Sequence, residues 1–140
     1  MVVRCYRSLR QIGGDFVQPA AQVRHCEVFW GRSGTGKTRR AWDEAGPQGY
    51  SKDPSTKWFD GYDCQECVVI DEFRGQIGIA HLLRWLDRYP VRVETKGGSR
   101  ALMASKFFIT SNLSPEQWYP DIDAETLAAL RRRINVTHFA

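Results

Sequence analysis

The sequence predicts an α/β protein in which a central, mostly parallel sheet is flanked by helices, with a β-hairpin inserted before the last strands. Three stretches carry that expectation. "CEVFWGRSGTGKT" (26–38) runs from an apolar strand through a glycine-rich loop into a helix start. "VVIDEF" (68–73) is a continuous β-branched run ending in two carboxylates. "KFFITSN" (106–112) is a further buried-type run that ends in polar residues.

The elements follow in order. "RCYRSLRQI" (4–12) places Tyr6, Leu9 and Ile12 on one side of a short helix, and Gly13-Gly14 and Pro19 then break the chain. Residues 1–24 therefore read as a helical linker or assembly segment, and 25–140 as the main domain. A strand at 26–30 precedes the glycine loop, and "TRRAWDEA" after Lys37 reads as a helix ending near Gly46-Pro47. Residues 47–66 are loop-rich but hold Tyr50, Trp58, Phe59 and Tyr62. A buried strand at 68–70 follows. Ile79, Leu82, Leu83 and Leu86 fall at i, i+3, i+4 and i+7, an amphipathic helix expected to stop at Tyr89 before Pro90. Val91, Val93 and Thr95 alternate as a strand that turns at Lys96-Gly97-Gly98. After the strand at 106–112, Asp123 can cap a helix carrying Leu127, Leu130 and Ile134, and "NVTHF" closes with a strand.

At 140 residues the chain is one domain's length, and its 42% hydrophobic and 26% charged content is that of a globular protein. No apolar run reaches the roughly 18 residues a membrane span needs, and arginines interrupt the N-terminus where a secretory signal would be apolar. Fifteen arginines against five lysines and a net charge of +4 suit a polyanionic partner, though charge alone fits a mildly basic protein equally. Cys64 and Cys67 form a Cys-x-x-Cys, but no second close pair completes a tetrahedral metal site, and cysteines that stay reduced inside a cell are expected.

"GRSGTGKT" satisfies the phosphate-loop pattern in full, from Gly31 through Arg32, Ser33, Gly34, Thr35, Gly36 and Lys37 to Thr38. The glycines let successive N–H groups curl around phosphate at a helix N-terminus. Lys37 reaches the β- and γ-phosphates of ATP, and the Thr38 hydroxyl suits Mg²⁺. Asp71 would help to hold that magnesium, and Glu72 would polarise the attacking water; the competing reading is a solvated strand end. Asn112 is a candidate for orienting the water or sensing the γ-phosphate, against an Asx turn before Pro115. "RRRI" (131–134) ends a helix, where cations complement the dipole; an arginine finger supplied across a subunit boundary is the alternative.

Taken together, "GRSGTGKT", "KWFDGY" (57–62), "VVIDEFRG" (68–75), "LLRWLDRYPVRVETKGG" (82–98), "FFITSN" and "LRRRI" resemble the helicase domain of replication-initiator (Rep) proteins of small circular single-stranded DNA viruses, most like those of circoviruses. The resemblance spans about residues 3–138 and implies a superfamily 3 helicase of AAA+ type. It implies that Gly36, Lys37 and Thr38 bind nucleotide and metal, that Asp71 and Glu72 are the Walker B pair, and that Asn112 is the γ-phosphate sensor. Arg133 would be the arginine finger, with Arg132 as runner-up. Lys96, with Gly97 and Gly98, would form a hairpin contacting single-stranded DNA in the channel of a homo-hexameric ring. A viral origin would place the protein inside the host nucleus. Members of the family carry an upstream endonuclease with a His-hydrophobe-His motif; His25, His81 and His138 are scattered and do not form one.

Three functions are weighed, and the first is the reading adopted. The first is an ATP-driven translocase moving 3′ to 5′ by resemblance. The second is an ATP-binding assembly module with weak turnover, lacking the origin-nicking domain. The third is a small-molecule kinase, which would leave the Lys96 hairpin without a role.

Overall fold

Continuous apolar runs build the central strands, and the computed structural model describes residues 21–140. The helix expected over 4–12 lies outside the described residues. The elements are β1 (His25–Gly31), α1 (Lys37–Ala45), β2 (Tyr50–Lys52), β3 (Cys67–Ile70), α2 (Ile79–Leu86), β4 (Arg92–Thr95), β5 (Gly98–Ala101), β6 (Lys106–Ser111), α3 (Pro115–Trp118), α4 (Ala124–Arg133) and β7 (Asn135–Phe139).

Five strands form one sheet in the order β2-β3-β6-β1-β7, with every pairing parallel. Cys26, Val28, Val68, Ile70, Phe107 and Ile109 face the larger core with Leu82, Trp85 and Leu86 of α2 and Leu130 of α4. Phe29, Val69 and Phe108 face the opposite way and pack on Ala41 and Trp42 of α1. Burial on both faces is why these strands read as near-continuous apolar runs. Among the described residues, no helix is long and apolar enough to cross a membrane.

Local chemistry sets the boundaries. Asp123 accepts from the backbone N–H of Thr126 at 3.0 Å and so starts α4, as its sequence position suggests. Helix α2 ends at Leu86, three residues before the expected stop, because Asp87 is already extended. Gly98 pairs with Thr95 as the first residue of β5, leaving Lys96 and Gly97 as the hairpin tip. Gly97, at φ +97°, provides the left-handed residue that the turn needs.

Two elements escape the periodicity. Strand β2 has only three residues, and α3 has four. The third residue of β2 is Lys52, a residue type expected at the surface but here 1% exposed. Its ammonium donates to the carbonyls of Asp53 (2.6 Å) and Thr56, and it lies 5.3 Å and 5.5 Å from the ring centres of Phe59 and Trp85. Burial pulls its pKa down from 10.5 to about 8.

Arg24, 8% exposed, joins the lead-in to β1 to the base of the hairpin. Its Nε donates to Ala104 O (3.0 Å), Nη2 to Leu102 O (2.8 Å), and Nη1 to the carbonyls of Asp87 and Tyr89 (3.2 Å). A buried guanidinium so satisfied fixes three segments in one place.

Candidate functional site: a nucleotide cradle at the sheet's C-terminal edge

Strand β1 ends at Gly31, where the chain turns into α1 through Arg32–Gly36. A Cβ on Gly31 would lie 2.1 Å from Phe139 O, so only glycine lets β7 close on β1 beside the loop. Gly34 and Gly36 adopt φ +82° and +90°, the left-handed geometry that turns N–H groups to one side for an anion. Arg32 and Ser33 lie exposed at the crest, and the Thr35 hydroxyl ties down the loop by donating to Arg32 O at 2.7 Å. Lys37 is buried, its Nζ donating to Gly31 O at 2.9 Å and Arg32 O at 2.7 Å, so the ammonium is held beneath the crest.

Asp71 follows β3 directly, two strands away from β1. The Thr38 hydroxyl donates to Asp71 Oδ1 at 2.8 Å, bringing together two hard oxygen donors from distant parts of the chain. That donor set fits Mg²⁺, which prefers oxygen ligands and one or two carboxylates. Glu72 is exposed at φ +58°, an uncommon backbone state for a residue with a side chain, costing on the order of 1 kcal/mol.

Thr110, which the sequence reading passed over, holds this turn. It is 1% exposed at the end of β6, and its hydroxyl donates to Asp71 Oδ1 while accepting from the Glu72 N–H at 2.9 Å. Its carbonyl accepts from Phe73 N at 2.8 Å, so one residue orients the backbone on both sides of Glu72. The register Ile70↔Ile109 places Thr110 beside Asp71, and no local pattern reveals that pairing. Below it, Ser111 donates to Phe73 O at 2.6 Å and accepts from Trp118 Nε1 at 3.0 Å.

Asn112 is exposed just beyond β6, the strand between β3 and β1. The fold therefore gathers Gly31–Thr38, Asp71, Glu72 and Asn112 along the C-terminal edge of the sheet, the usual ligand edge of an open parallel sheet.

The arginines and the hairpin lie elsewhere. Arg132 and Arg133 end α4, one residue before β7, whose first residue pairs with Glu27 toward the N-terminal edge. Neither can serve its own phosphate loop at the opposite edge. Arg132 is exposed, whereas Arg133 is partly buried and donates to Asp87 Oδ2 at 3.0 Å and Ala129 O at 2.7 Å. Its hydrogen bond is the leading reason the Asp87 carboxyl titrates below its ordinary value. Lys96 stands at the hairpin tip, 78% exposed, with its N–H donating to Asp60 Oδ1 at 2.8 Å and its Nζ 4.0 Å from Asp60 Oδ2.

Cys67 is free and Cys64 is disulfide-bonded, which departs from the expectation of reduced cysteines. Among the described residues, no cluster of three or more His, Cys, Asp or Glu side chains could hold a metal ion.

Residues 28–113 match the sequence model of the RNA helicase family. The replication-associated protein of Porcine circovirus 2 is 45% identical over 108 residues, covering 76% of this chain and 34% of that protein. The Pigeon circovirus replication-associated protein is 41% identical over 132 residues, covering 94% of this chain and 40% of that protein. The chain thus spans about a third of the length of the curated relatives it matches. Among solved structures, the S. cerevisiae Hsp104–ADP complex overlays 99% of this chain and 26% of its own with a TM-score of 0.51 at 19% identity, a likeness of fold. With its phosphate loop and parallel sheet, the chain belongs to the RNA helicase family, as an α/β domain of P-loop fold that is similar to about a third of the replication-associated proteins of circoviruses.

Proposed function

We propose that this domain hydrolyses ATP at the boundaries between subunits of a homo-hexameric ring and uses the energy to move along single-stranded DNA, 3′ to 5′, within a rolling-circle replication initiator acting in a host nucleus. The observation that carries the reading is the contact between Thr38 and Asp71 at 2.8 Å, with Glu72 fixed alongside by Thr110.

In this reading the loop N–H groups and Lys37 bind the phosphates, and Thr38 and Asp71 hold Mg²⁺. The metal supplies charge neutralisation on the phosphate oxygens. Glu72 accepts a proton from water as the water oxygen bonds to the γ-phosphorus. The bond to the β–γ bridging oxygen breaks, releasing ADP and inorganic phosphate. Asn112 orients that water. An arginine from the neighbouring subunit stabilises the transferring phosphoryl group, and Lys96 contacts DNA phosphate at the hairpin tip.

A second reading is an ATP-binding assembly module with weak turnover. The engagement of Arg133 by Asp87 within its own subunit favours it, because a finger so held is withdrawn from a neighbour.

ATP turnover measured alone, with single-stranded DNA and with single-stranded RNA separates the two readings. Stimulation by DNA that disappears in Lys96→Ala supports the motor. ATP binding with negligible turnover, unresponsive to either nucleic acid, supports the assembly module. Glu72→Gln should retain ATP binding and lose turnover, and normal turnover in that variant sinks the assignment of the base.

A further inference from the structure

We propose that the Trp58 indole is a stacking platform for a nucleobase of single-stranded DNA, placed beside the Lys96 tip. The inference rests on the single-strand reading of the hairpin and extends it from phosphate contact to base contact.

Residues 57–60 run along β4 as a third rib of the hairpin. Phe59 N donates to Glu94 O at 2.9 Å, Lys57 Nζ lies 3.1 Å from Glu94 Oε2, and Asp60 holds Lys96. Trp58 lies between these contacts. Phe59 is fully buried, whereas the neighbouring Trp58 indole is partly exposed. Lys57 Nζ sits 5.1 Å from the centre of the Trp58 ring, which ties the indole to the same cluster as Glu94. Among the described residues, no aromatic ring packs against Trp58.

The rib is anchored from beneath. Phe59 meets Trp85 at 4.8 Å, Tyr62 at 5.6 Å and Tyr50 at 5.7 Å between ring centroids. Lys52 holds the carbonyls of Asp53 and Thr56 just upstream. An aromatic on so fixed a support loses little freedom when a flat partner arrives.

Charge decides what partner suits it. Lys57 is matched by Glu94 and Lys96 by Asp60, two cations against two carboxylates. Each lysine shares its charge with a carboxylate, so phosphate contact at Lys96 is weakened rather than removed and leaves room for a second source of affinity. A partly exposed indole within this patch offers π surface to a base, which is how sequence-tolerant single-strand binders gain affinity. The two contributions are separable by salt, because stacking releases no counterions and phosphate contact does.

The test is binding of a labelled oligo(dT) to the full chain at several salt concentrations, for wild type, Trp58→Ala, Trp58→Phe and Lys96→Ala. Trp58→Ala should weaken binding about tenfold at every salt concentration, leaving the slope of log affinity against log salt unchanged. Trp58→Phe should recover most of that loss, and its difference emission spectrum from wild type should lack the quenching that dT stacking produces. Lys96→Ala should lower the slope by about 0.7. A Trp58→Ala affinity within twofold of wild type overturns the platform, even where Lys96→Ala acts as expected. A Trp58→Ala loss accompanied by a reduced slope overturns it too, since the contact is then electrostatic. Wild-type behaviour in Lys96→Ala with a loss in Trp58→Ala keeps the platform and removes Lys96 from the strand contact. Wild-type behaviour in both variants ends the hairpin reading itself.

Discussion

Arg133 donates to the Asp87 carboxylate at 3.0 Å within its own subunit, while the Asp87 carbonyl accepts from the buried Arg24. Asp87 thus joins the end of α4 to the loop that leads into the hairpin. The arginine that resemblance marks as the finger already has a structural partner, and its exposed neighbour Arg132 has its side chain in solvent.

This arrangement separates the two arginines experimentally. Arg133→Ala should lower stability by about 1–3 kcal/mol, since the pair is mostly shielded and charge-assisted. Urea unfolding at pH 7 measures it. The deficit should shrink as pH falls through the depressed Asp87 value, below the ordinary 3.8, where the carboxyl is protonated in both variants. Arg132→Ala should leave the unfolding midpoint unchanged yet reduce turnover in assembled protein. An Arg133→Ala midpoint equal to wild type would argue against the structural role.

Thr110 should matter to turnover more than to nucleotide affinity. Thr110→Val keeps the shape but removes the hydroxyl that orients Asp71 and Glu72. A roughly tenfold fall in kcat with little change in KM for ATP is expected, on the order of 1.4 kcal/mol of transition-state stabilisation. Thr110→Ser should restore the rate. Equal rates for Val and Ser would show that packing, not the hydroxyl, is what the site needs.

Lys52 gives a pH signature of the same sign as Asp87 but at the alkaline end, since both folded pKa values are depressed and stability rises with pH through each window. Its folded pKa of about 8 lies below the ordinary 10.5, so between those values the unfolded chain binds more protons than the folded one. The cost of burying the charge is fully present below pH 8 and is relieved as pH rises through that window. Wild type should therefore gain stability relative to Lys52→Met between pH 8 and 10, by on the order of 1–3 kcal/mol. Denaturant melts at pH 7, 8, 9 and 10 check it; parallel pH profiles for the two proteins would refute it.

In the proposed strand contact, Asp60 would compete with DNA phosphate for Lys96. Asp60→Asn preserves an oxygen for the Lys96 N–H but removes the charge opposite its ammonium. Affinity for oligo(dT) should rise a few-fold at low salt, and the gain should fade as salt screens the pair. An unchanged affinity at low salt would mean that Lys96 does not meet phosphate.

Much of this protein was legible in the chain because its signals are local. "GRSGTGKT" needs its glycines within eight consecutive residues, and the buried runs "VVI" and "FFIT" announce themselves by β-branching without alternation. Asp123 caps α4 through Thr126, three residues away, so that helix start was also readable. Strand β2 was not legible, because three residues carry no period and the burial of its Lys52 depends on the rings of Phe59 and Trp85 as well as the nearby carbonyls of Asp53 and Thr56. The role of Thr110 depends on the parallel register of β3 and β6, a pairing between residues 39 positions apart. The engagement of Arg133 depends on α4 folding back to Asp87, 46 positions away. The sequence by itself determined the phosphate loop, the carboxylate pair and the helix and strand alternation, because backbone conformation and periodicity act over a few residues. Only the tertiary structure decided which hydroxyl orients the carboxylates and which arginine is held back, because those depend on which distant groups share a hydrogen bond.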